Sequence, residues 1–282
     1  MMKFRSYLLI TSVVIFGASC SGGEPKEDEE STNEQDSASI STMDAPSESS
    51  FQLDLIIANN ITAPVKLLTD MNQAGLDNYS AGITNSVDNL QKYATSQQKA
   101  LNFGVYGADL SYQSLYGQHD KMADYLIAIR KLSDDLGLIS LFNQNSFEHF
   151  ERIKTNPDSV KLFIFSKYDE ADEYLRSNDR LQTACLVLTG GLIESLHLVS
   201  EQIEKGEANA DAYRIFLGQK NTLKSLVQFY EELESEGQSI DLKNDIVILY
   251  DKFVELDSFD KFSKENVDQL HEAIDAVRKK LV

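Results

Sequence analysis

Two acids stand in stretches that otherwise read as protein core: Asp109 within GVYGADLSY and Glu194 within TGGLIESLHL. An ionised carboxylate is costly to leave unpaired in a dry interior, so each acid needs hydrogen bonds, a cation or a solvated cleft. On helical spacing Asp109 shares a face with Val105, Tyr106, Tyr112 and Gln113, and Glu194 shares one with Gly190, Gly191 and His197. If the two faces meet, Tyr106, Asp109, Tyr112, Glu194 and His197 line one ligand-binding pocket. The alternative is architectural, with tyrosine hydroxyls, helix termini or solvent satisfying both acids.

Glu194-Ser-Leu-His197 also carries the Glu-x-x-His spacing that puts two metal ligands on one helical face, and Asp268-Gln-Leu-His271 is a near match. A di-iron bundle needs two such motifs plus a Glu from each of two further helices, and His271 falls in a lysine-flanked amphipathic segment. The sequence therefore predicts no bound metal and no cofactor. His119 and His149 have no Ser, Cys or paired acid at triad spacing. A His-Glu-x-x-His motif, a P-loop and a dinucleotide fingerprint are all lacking. Tyrosines gather at 79, 93, 106, 112, 116 and 125, a set that reads either as an aromatic cleft for carbohydrate or peptide or as core with the hydroxyls at its edge.

The elements that position these residues begin after a leader. Lys3 and Arg5 precede an apolar run from Tyr7 to Phe16 and then Gly17-Ala18-Ser19-Cys20, which reads as an export signal over residues 1–19. Small residues before a cysteine resemble the bacterial lipobox, with Gly17 where the commonest form has Leu. The resemblance implies that Cys20 is acylated and holds the chain on membrane lipid. No later hydrophobic stretch is expected to approach the 18 residues of a membrane span. Removing Cys20 leaves Cys185 alone, in the apolar run ACLVL, which reads as a buried thiol.

Residues 21–50 hold nine acids and one base with almost no large apolar side chains, the composition of a disordered, self-repelling spacer. Lys26-Glu27-Asp28 resembles the lysine-plus-two-acids signal that sends Bacteroidota lipoproteins to the cell surface. The whole chain carries a net charge of −19. Setting aside the leader and spacer leaves 36 acids and 23 bases, a net of −13 on residues 51–282. Such a domain repels phosphate backbones, so nucleic acid is not an expected partner.

Residues 51–282 contain only Pro64 and Pro157 as prolines and no tryptophan. Their apolar spacing near 3.6 predicts an all-α bundle of about eight helices. Predicted helices follow Pro64 and cover 101–116, 122–136, 158–177, 184–199, 209–235 and 242–256, with a last one from Ser263 to the C-terminus. Gly137 and Gly237 are expected as helix stops. The segments 101–116 and 184–199 are apolar nearly all round, which marks central helices. Each carries a small-residue stripe: Gly104, Gly107, Ala108 and Ser111 in the first, Ala184, Gly191 and Ser195 in the second. Glycine within a helix costs about 1 kcal/mol relative to alanine, so the stripes imply close backbone approach or a ligand. Laying Gly107 on Gly191 also aligns Ser111 with Ser195, a hint of two related halves.

LNFGVYGADLSY, with RKLSDDLGL downstream and LVLTGGLIESL later, is similar to a family of uncharacterised helical lipoproteins of Bacteroidota. The likeness covers most of residues 60–235. It implies a helical fold and an outer-membrane anchor, on the periplasmic or the surface face, and brings no catalytic residues with it. The expected function is a membrane-anchored, non-catalytic domain that binds a small ligand or another envelope protein. Two alternatives stay open. One is an envelope metal-dependent enzyme using Glu194 and His197; the other is a structural spacer without a ligand.

Overall fold

The computed structural model describes residues 48–282 apart from 207, 239–240 and 257–263, with no side chains for 48–52 or 264. The predicted signal peptide, Cys20, the Lys26-Glu27-Asp28 run and the spacer to residue 47 lie outside the described residues, as does the expected N-cap Ser263. Among the described residues the chain is all-α, with eleven helices and no strand. These are α1 (Glu48–Asn60), α2 (Ala63–Gln73), α3 (Ser96–Leu115), α4 (His119–Asp135), α5 (Gln144–Ile153), α6 (Pro157–Ser177), α7 (Leu181–Lys205), α8 (Ala210–Gly218), α9 (Lys220–Ser235), α10 (Lys243–Glu255) and α11 (Lys264–Arg278).

Three differences account for the higher helix number. Helix α1 starts at Glu48, within the last residues assigned to the spacer. Helix α5 is short and mostly polar, and its stripe of Phe147, Phe150 and Ile153, packed on the core, was passed over in the sequence. The predicted 209–235 helix is two helices. At Gln219 the amide reaches back three residues to Phe216 O (3.1 Å), a tightened turn that re-aims the chain and lets Phe216 and Leu223 both point inward. Pro64 and Pro157 sit in the first turns of α2 and α6 as expected. Gly137 (φ 74°) and Gly237 (φ 79°) end α4 and α9 in the left-handed region.

The α3/α7 pair is the axis of the bundle, with α2, α4, α6 and α11 packed against it. Of the two explanations for the small-residue stripes, close approach accounts for the glycines. A Cβ on Gly104 would stand 2.0 Å from Val187 O, and one on Gly190 would stand 1.9 Å from Leu101 O. Backbone meets backbone at this crossing, so no side chain fits. Gly107 likewise makes room for the Tyr168 ring, whose hydroxyl donates to Gly104 O at 3.0 Å.

Helix α7 is long and apolar enough to cross a membrane by length and composition, contrary to the expectation that no later stretch comes close. Its surroundings give the reason for that apolarity: 94% of its most apolar window is buried inside the bundle. Cys185 is fully buried on this helix, and burial pushes its thiol well above the ordinary value. It behaves as core.

Candidate functional site

Between α2 and α3 the chain runs as an irregular strap over residues 74–95, broken by one 3-10 turn at Val87–Lys92. A connection of this length without regular structure must find partners for its backbone elsewhere. Tyrosines of α3 and α4 supply many of them. Tyr106 donates to Ser86 O (3.0 Å), Tyr116 to Leu76 O (2.5 Å) and Tyr125 to Asn85 O (3.0 Å). Tyr112 accepts from Ser80 N at 2.8 Å. Gln202 of α7 donates to Asn78 O at 2.9 Å and to the Tyr116 hydroxyl at 2.6 Å. The rings pack on one another, Tyr112 against Tyr116 at 4.7 Å and Tyr106 against Tyr125 at 6.0 Å between centroids. The tyrosine set is therefore core with its hydroxyls at the edge, gripping a loop.

Beneath the strap the structure brings Asp109 of α3 and Glu194 of α7 together, both at 0% exposure. The cation that satisfies Glu194 comes from the end of α11: Arg278 Nε and Nη2 donate to Oε2 and Oε1, each at 2.7 Å. Burial alone would lower the Arg278 pKa, but the hydrogen bonds and charge of Glu194, with Asp109 and Asp275 nearby, raise it above its ordinary value. Asp109 is the acid that gives way. Burial and the Glu194 charge drive it well above the usual carboxylate range, with Arg278 pulling the other way. Its Oδ2 accepts from Asn85 N at 3.2 Å. Its Oδ1 has no hydrogen-bond partner, and the Glu194 side chain beside it contributes to the rise by both its charge and its contact. Neither acid is satisfied by a tyrosine hydroxyl or by solvent, as the architectural alternative had it.

This centre is closed. Arg278 Nη2 also reaches Ile83 O at 3.4 Å, and His197 Nε2 reaches the same carbonyl at 3.0 Å, so the strap caps the ion pair. A cavity of about 20 Å³ among Phe103, Gly107, Leu110 and Tyr168 lies apart from the acids, as does one of about 120 Å³ bounded by Gly75, Asn78, Ser80, Gln202 and Lys205. Neither is lined by Asp109 or Glu194.

His197 does not join Glu194. Pairing the two on one ion would require breaking the Arg278 clasp. It turns instead toward α11, where its Nδ1 stands 2.6 Å from Asp275 Oδ1. Its ring stacks on His271 at 6.1 Å between centroids. His271 Nε2 in turn faces Glu201 (3.6 Å), Asp275 (3.7 Å) and Glu204 (3.8 Å). The structure thus separates the five predicted residues. Asp109 and Glu194 form a closed ionic centre, Tyr106 and Tyr112 hold the strap, and His197 belongs to a second, partly open cluster. Glu201, Asp275 and Arg278 went unnoticed in the sequence, and His271 was noted only as half of an Asp268-x-x-His271 spacing. His197-x-x-x-Glu201 and His271-x-x-x-Asp275 are the same one-turn spacing on two helices, and that was the available signal.

No protein-family model, curated protein or solved structure matches the chain.

Proposed function

We propose that this protein is a lipid-anchored helical domain of the bacterial envelope that binds a ligand or partner and catalyses no reaction. The leader ending in Cys20 supports the anchor, and the acidic spacer supports a domain standing off the outer membrane. The observation that carries the non-catalytic reading is the Arg278 clasp on both oxygens of Glu194 beneath a strap tied down by tyrosines. A general acid or base must reach a substrate proton, and these acids are turned inward on each other. The binding face is then sought where imidazoles and acids gather at partial exposure, at the α7/α11 end around His197 and His271.

The reading is tested by fractionating cells that express the full chain or its Cys20→Ala variant, followed by mild crosslinking of intact envelopes. Wild type is expected in the membrane fraction after a high-salt wash, crosslinked to an envelope component, with Cys20→Ala released. A Cys20→Ala chain that stays on the membrane overturns the anchor. Catalytic turnover lost on Glu194→Gln or Asp109→Asn substitution, with the fold intact, overturns the non-catalytic assignment.

A further inference from the structure

The geometry points to a binding site for one divalent transition-metal ion between α7 and α11, made by His197, His271, Glu201 and Asp275. The inference deepens the binding reading above by naming a ligand class, and rests on that reading only for the idea that the α7/α11 end is where binding occurs.

The neighbours of each ring nitrogen decide which of them carries a proton. Ile83 O can only accept, so the 3.0 Å contact from His197 Nε2 places a proton there. Ser200 Oγ has one proton, which it donates to His197 O at 2.9 Å. It must therefore accept from His271 Nδ1, also at 2.9 Å. Each imidazole is thus held by a donated hydrogen bond on one nitrogen, with His197 Nδ1 and His271 Nε2 turned to the space between the helices; His197 Nδ1 is itself hydrogen-bonded to Asp275 Oδ1, and a bound ion would take the place of the proton shared there. This is the arrangement that orients metal-ligating histidines, where the second nitrogen donates to a carbonyl or another oxygen and fixes the ring.

What those two nitrogens face is acidic. Asp275 spans them, with Oδ1 at 2.6 Å from His197 Nδ1 and Oδ2 at 3.7 Å from His271 Nε2. Glu201 approaches His271 to 3.6 Å and Glu204 to 3.8 Å. Lys205 pairs with Glu201 through Oε2, which leaves Oε1 turned toward His271. Ligand atoms of His197, Glu201 and His271 lie within 4.8 Å of one another. Around a tetrahedral zinc ion they would stand about 3.3 Å apart, so a modest rotation of Glu201 and His271 closes the gap. Glu201 is 18% exposed and free to swing about its outer bonds, whereas His271 at 13%, held by Ser200, would pivot on that hydrogen bond and His197 at 6% is the fixed point.

The donor set selects the class of ion. Two imidazole nitrogens with carboxylate oxygens suit zinc and its first-row neighbours, while calcium and magnesium prefer oxygen alone. With His197 and Glu201 on α7 and His271 and Asp275 on α11, the bound ion would fasten the last helix to the central one. Arg278, one turn beyond Asp275, already fastens it through Glu194.

The test is calorimetric titration of the purified, metal-stripped full chain with zinc chloride in a non-coordinating buffer, with magnesium chloride as the comparison. Wild type is expected to take up one equivalent of zinc, unaffected by excess magnesium. His271→Ala and Glu201→Gln are expected to lose that saturable binding. Ser200→Ala, which frees the His271 ring without removing a ligand, is expected to weaken it by about 10–100-fold. Cobalt(II) should give visible absorption in wild type and not in His271→Ala, a signature independent of heat signals. No saturable zinc binding by wild type overturns the proposal, as does undiminished binding by a folded His271→Ala. Wild type that binds no zinc yet still crosslinks to its envelope partner removes the metal and keeps the binding reading. A chain that binds zinc and finds no partner keeps the metal and removes the partner.

Discussion

Glu194 and Glu201 lie two turns apart on α7 and both look toward α11, yet they meet different fates. Glu194 is wholly buried and clasped on both oxygens by Arg278, with a second carboxyl, Asp109, beside it, driven well above the usual carboxylate range by burial and the Glu194 charge. Glu201 is partly exposed and faces His271, with Asp275 and Glu204 around the same ring. A carboxylate becomes architecture when a guanidinium reaches it inside the core. It keeps an oxygen for a ligand when its cation is a solvent-facing lysine on the other oxygen, as Lys205 is for Glu201, and the remaining neighbours are an imidazole and further acids. The same pair of helices supplies both.

The comparison is broken most severely at its buried end. Arg278→Met should destabilise the domain by about 3–5 kcal/mol, because Glu194 is left charged and unpaired in the core. Urea unfolding followed by circular dichroism measures this, and a cost under about 1 kcal/mol would show that the ion pair is dispensable. Gly190→Ala comes next. Its Cβ would fall 1.9 Å from Leu101 O, so the α3/α7 crossing must open, at a cost of about 1–3 kcal/mol or more.

A third prediction uses the raised pKa of Asp109. An acid whose folded pKa lies above its unfolded value takes up a proton on folding. Its favourable contribution is therefore complete at low pH and is lost as pH rises from the usual carboxylate value toward the folded one. The groups that set this value are Glu194 on α7, Arg278 on α11 and Asn85 on the strap. Unfolding free energy of wild type should accordingly fall with pH by up to about 1.4 kcal/mol per unit from this residue. Asp109→Asn should flatten that component, and an unchanged pH profile would mean that Asp109 is ionised. The smallest effect is expected at Tyr116→Phe, which removes the hydroxyl shared by Leu76 O and Gln202. A loss of about 1 kcal/mol is expected, with faster amide exchange confined to the strap around residues 76–80.

Much of this was legible in the sequence. The apolar period of α4, the stop signals at Gly137 and Gly237, and the all-round apolarity of α3 and α7 express local rules, and the structure follows them. The placing of Asp109 and Glu194 near one another was legible only on the condition that the two small-residue faces meet, which they do. Arg278 could not be foreseen, because it lies 84 residues from Glu194 and reads locally as one more cation at a helix end. The strap was hidden for a related reason. Its backbone is satisfied by tyrosines and a histidine distant in sequence, a tertiary fact with no local period. The pairing of His197 with His271 depends likewise on how α11 docks, although the matching one-turn acids at 201 and 275 were on view.

The account stands most directly on thermal unfolding of wild type, Asp109→Asn and His271→Gln, each with and without zinc at about 100 times the dissociation constant. Binding at that level adds about 2.7 kcal/mol, a rise in Tm of about 5–10 °C for a domain of this size. Wild type and Asp109→Asn should show the same rise, while His271→Gln should melt within a few degrees of wild type without zinc and show none. An equal rise in His271→Gln, or no rise in any of the three, would contradict the division of α7 into a closed structural centre and an open metal-binding one.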